Sequence, residues 1–119
     1  MYRIPADLDL SPLVGEYATQ IRVGRFDLQF AFGPVRFAVE SPIRLFRDGE
    51  PIARWKAGRW PPPEFYEIMN VDVLRYEVPD DRRIVIELDN GIAIHLAGDS
   101  DDRECFQIFI EGNHPTWII

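Results

Sequence analysis

The chain has 119 residues, 46% of them hydrophobic, and a formal net charge of −7 from 13 basic and 20 acidic groups. That length suits one domain, 1–119, with a real core; the composition excludes wholesale disorder, and the acidic balance speaks against nucleic-acid binding, whose signature is a basic surface. A lone cysteine, an opening MYRIPADLDL without the apolar core of a signal peptide, and the lack of any bilayer-length run lead us to expect a cytoplasmic protein with no membrane role.

Residues 1–12, with Pro5 and Pro12 flanking Asp7 and Asp9, read as a lead-in strand or tether. From Leu13 the pattern is β. Ile21 and Val23 alternate with polar residues, and Gly24-Arg25 turns the chain. Phe26, Leu28, Phe30 and Phe32 share the next strand face, which Val35, Phe37 and Val39 continue after Gly33-Pro34. A two-residue loop pairs Phe32 with Val35 and Phe30 with Phe37, with Gly33 supplying a positive φ. Ile43–Leu45 and Ile52–Trp55 are short strands around the Arg47–Glu50 turn. Trp60-Pro61-Pro62-Pro63 is a stiff connector, and Glu64–Met69 is the one expected helix, since proline before it and acids in its first turn suit a helix start.

The central stretch is Arg82–Leu96, RRIVIELDNGIAIHL, a hairpin with one committed face. Ile84, Ile86 and Leu88 alternate going up; Ile92, Ile94 and Leu96 alternate coming down. A two-residue Asn90-Gly91 loop would place Ile86 opposite His95 and split the apolar set. A three-residue loop, Asp89-Asn90-Gly91, pairs Ile86 with Ile94 and keeps all six on one face, with Gly91 in the left-handed region. The tail adds a strand face at Phe106, Ile108 and Ile110 and a last strand at Thr116–Ile119.

The two halves, 13–55 and 70–119, repeat one layout of strand, turn and hairpin. Ile21 falls on Tyr76, Phe26 on Ile84 and Val35 on Ile92, offsets of 55, 58 and 57. Short strands with frequent turns then predict a mainly β, single-domain antiparallel sandwich or partly open barrel with one short helix. Val85, Phe109 and Ile118 lie on the second faces of their strands, and three covers suggest themselves: the short helix, the tether or a second subunit.

No constellation for catalysis, metal or cofactor binding is present. His95 with Asp99 and Asp101 is too thin a ligand set, and Cys105 beside Glu104 lacks the electropositive setting of a nucleophile. Charge is uneven: residues 1–60 hold nine basic and seven acidic groups, residues 61–119 four and thirteen. The loop Gly98–Glu104 carries Asp99, Asp101, Asp102 and Glu104 against Arg103 alone. Asn90-Gly91, Asp99, Glu104, Phe106, Ile108 and Trp117–Ile119 resemble the hairpin and ending of a loose group of small bacterial β-rich proteins. Some members of that group look like immunity-type proteins encoded beside toxins. The resemblance covers the last third of the chain, departs from the pattern where Cys105 replaces a serine, and carries no catalytic residues. It implies an immunity-type, non-enzymatic binding protein. The acidic excess of the second half points to Asp99, Asp101, Asp102 and Glu104 as the surface offered to a basic protein partner, and the second-face parity of Val85, Phe109 and Ile118 to self-association. The alternative is a small-molecule-binding or enzymatic barrel with Trp55, Trp60, Tyr66 and His95 around an open end.

Overall fold

Among the described residues of the computed structural model, 3–98, 105–112 and 116–119, apolar alternation resolves into ten strands. They are β1 (Ile21–Val23), β2 (Leu28–Phe32), β3 (Val35–Val39), β4 (Ile43–Arg47), β5 (Glu50–Trp55), β6 (Val73–Asp80), β7 (Arg83–Leu88), β8 (Ile92–Ala97), β9 (Phe106–Ile110) and β10 (Trp117–Ile118). Two antiparallel five-stranded sheets form, ordered β1-β2-β3-β9-β10 and β5-β4-β8-β7-β6, and neither closes into a barrel. The fold is a sandwich. Residues of period two from both inner faces, among them Phe30, Phe32, Phe37, Ile86, Ile94 and Ile108, are buried in one core.

The central hairpin has the register that its apolar face demands. Ile84 opposes Leu96 and Ile86 opposes Ile94, while Gly91 takes φ +85° in the loop. A side chain there would meet the left-handed penalty, so this position needs glycine. Within its sheet the hairpin is flanked by β6 and β4, which leaves β8 as the central strand.

The two halves do not stack side by side; they exchange hairpins. Each sheet is a three-stranded meander from one half, β1-β2-β3 or β6-β7-β8, completed by the hairpin of the other, β9-β10 or β4-β5. The exchange joins are register-matched. Val39 opposes Phe106 and Val35 opposes Ile110; at the other join Leu96 opposes Ile43 and Ile92 opposes Arg47. Loop hydrogen bonds repeat as well. Glu111 N–H donates to the Pro34 carbonyl as Asp48 N–H donates to that of Gly91, and Gly15 N–H reaches Val73 O as Asn70 N–H reaches Ala18 O. Gly15 and Asn70 take the same positive φ, +84° and +62°.

Three sequence expectations need correction. Phe26 is not on the core face: Gly24 N–H bonds to Asp27 O, the turn holds residues 24–27, and β2 begins only at Leu28, leaving Phe26 63% exposed. Leu28, not Phe26, therefore matches Ile84, an offset of 56. The expected helix is a 3-10 helix over Pro63–Ile68, and a second 3-10 turn at Ser11–Leu13 stands where tether and strand were expected. Both elements send apolar side chains, Phe65 and Ile68 or Leu10 and Leu13, into the core between the sheets rather than over an outer face. Val85, only 7% exposed, lies in its row between His95 and Glu77, whereas Ile118 stays 44% exposed.

Candidate functional site

The sequence-derived residues scatter. Trp55 is 1% exposed, and its indole N–H donates to the Arg59 carbonyl, 2.8 Å. It lines one open cleft with Arg54, Lys56, Arg59, Trp60 and Pro62, and neither Tyr66 nor His95 reaches that cleft. Trp60 is 80% exposed, Tyr66 points outward from the second 3-10 helix, and His95 sits on the outer face of the second sheet. Cys105 is buried and outside any disulfide.

Asp99, Asp101, Asp102 and Glu104 lie outside the described residues; the ends of their loop do not. Gly98 N–H donates to Arg82 O, and Cys105 N–H donates to Ile119 O while its carbonyl accepts from Glu40 and Ser41. Both ends are thus pinned to strands. Nine residues, 97–105, link Leu96 to Phe106, where three, 40–42, link Val39 to Ile43 at the matching place in the first half. The acidic stretch is an insertion into an otherwise repeated plan.

A second group, missed in the sequence, gathers on the outer face of the second sheet. Arg44 on β4 opposes Arg54 on β5 and, across its other edge, His95 on β8. Directly opposed residues stand about 4.5–5.5 Å apart at Cα. Arg44 and Arg54 are exposed, and among the described residues no ion pair engages either. Three other arginines of this sheet are occupied: Arg83 pairs with Asp80 at 3.0 Å, Arg75 with Glu87, and Arg47 with Glu67 at 2.7 Å. The Phe46 ring lies 4.4 Å from that of His95, tilted 44°. Arg44, Phe46, Pro51, Ala53 and Arg54 line an open cleft of about 410 Å³. Burial, first, and then the guanidinium groups of Arg83 and Arg44 hold the His95 imidazole below its ordinary pKa. The available signal was parity: an arginine holds an outward position on each of two successive strands, Arg44 in IRLFR and Arg54 in PIARW.

Among the described residues no three His, Cys, Asp or Glu side chains could hold a metal together, and no helix is long and apolar enough to cross a membrane. No family model, curated protein or solved structure matches the chain.

Proposed function

We propose that this chain is a non-enzymatic binding protein, of immunity-type character, that engages a basic protein partner through Asp99, Asp101, Asp102 and Glu104. The observation that carries this reading is the insertion: the two halves keep register across the matched joins β3–β9 and β4–β8, yet the second carries six more residues at one crossover, four of them acidic. Loops on a rigid β scaffold commonly carry recognition, and like charges gathered in one loop accelerate encounter with an oppositely charged surface.

The test is capture of the partner, followed by association rates for the native chain and the Asp101→Lys/Asp102→Lys variant at low and high salt. A slower variant at low salt, with the difference fading at high salt, is the expected result. Equal rates at low salt would overturn the reading.

A further inference from the structure

Among the described residues no counter-charge compensates the cross-strand pair Arg44–Arg54. Like charges directly opposite one another destabilise a sheet, and this chain has 20 acidic groups from which a counter-charge could have been drawn. Arg47, Arg75 and Arg83 on the same sheet have theirs; among the described residues this pair has none. The flank of Arg44 opposite Arg54 offers no relief either, because it is occupied by His95. Local rules broken on an otherwise self-consistent scaffold concentrate at functional sites.

We propose that Arg44 and Arg54, with Phe46 beside them, form a binding site for a small phosphate monoester. The phosphoryl oxygens lie on the two guanidinium forks and the organic part lies against the Phe46 ring. Charge selects the ligand. Two unpaired guanidinium groups present two positive charges; a phosphate monoester carries about −1.5 to −2 at neutral pH, so it balances them, whereas one carboxylate leaves a charge unmatched. Geometry agrees, since arginine's planar fork bonds two oxygens at once and two forks can share the three of a phosphoryl group. The ring contact is available because Phe46 borders the cleft instead of being buried under it. Both arginines stand on paired β-strands, so the backbone that carries them is ordered before binding. This site is separate from the acidic insertion and does not depend on how that loop functions.

The test is calorimetric titration of the full chain with phenyl phosphate, inorganic phosphate and benzoate, repeated for Arg44→Gln, Arg54→Gln and Arg36→Gln. The expected order is phenyl phosphate tightest, inorganic phosphate weaker and benzoate weakest. Arg44→Gln and Arg54→Gln should each weaken phenyl phosphate at least ~10-fold, the scale of a lost charge-assisted hydrogen bond, while Arg36→Gln on the other sheet leaves it unchanged. Thermal melts with and without phenyl phosphate guard against misfolding: both cleft variants should melt cooperatively and lose the ligand-induced rise in Tm. No saturable binding, benzoate as tight as phenyl phosphate, or equal weakening by Arg36→Gln would each overturn the assignment.

Discussion

The outer faces of the two sheets occupy matching places in the fold and solve the same problem differently. Matched registers put Phe109 where Phe46 is, Gln107 where Arg44 is and Ala38 where His95 is. On the first sheet the half-buried aromatic is covered from within: the Arg36 guanidinium lies 4.5 Å above the Phe109 ring. On the second, the position matching Arg36 is Ala93, so Phe46 has no arginine over it and rests against His95. The cations there face one another. One face caps its aromatic with an arginine; the other sets two arginines against each other.

The strongest test of the underlying equivalence lies beneath both faces. Phe30 and Ile86 are matched core positions, 3% and 0% exposed, and each →Ala change should cost about 2–5 kcal/mol in urea denaturation. A large cost at only one of the two would break the equivalence. The faces themselves should then diverge in sign. Arg36→Gln removes a cation–π contact and should destabilise by about 0.5–1 kcal/mol. Arg44→Gln relieves a like-charge pair and should stabilise by about 0.2–1 kcal/mol in phosphate-free buffer. The same sign for both would erase the contrast.

A finer probe is the His95 titration. Its folded pKa is lowered, so the unfolded chain binds the proton more readily. The contribution of His95 to stability is therefore full above its ordinary value near 6.5 and is lost as pH falls from there through the folded pKa. Arg44→Gln removes one of the charges responsible and should bring the titration, followed by NMR of the ring protons, back toward the ordinary value. Burial, the larger cause, should keep part of the shift. The smallest expected effect belongs to Asp101→Lys/Asp102→Lys, which should change stability by less than ~0.5 kcal/mol, as exposed charge changes usually do.

How much of this was legible follows from how local each feature is. The Arg82–Leu96 register could be read because one slip would expose six apolar side chains, and the turn lies between them in sequence. The β2–β3 pairing was legible for the same reason, with Phe32 opposite Val35 as expected. The joins β3–β9 and β4–β8 were not, because nothing within a strand names its distant neighbour. The Arg44–His95 contact depends on such a join, spanning 51 positions of sequence, so those two side chains gave no sign of being neighbours, whereas Arg44 and Arg54 share one hairpin. Phe26 misled for a smaller reason: alternation continued past the point where the Gly24–Asp27 turn ends the strand. Trp55 and Trp60 looked alike in composition, but only Trp55 has core parity, opposite Ile43.

The exchanged hairpins also set a timetable. When the first 60 residues have left the ribosome, β3 and β4 each still have an edge awaiting a strand that does not yet exist, β9 for one and β8 for the other. Residues 106–119 are needed before the first sheet is whole. Neither half can therefore be finished ahead of the other, and the distant pairing that closes both sheets places this chain among slow, late-committing folders. Until residues 106–119 have emerged, its open strand edges remain available to chaperones and to wrong partners alike.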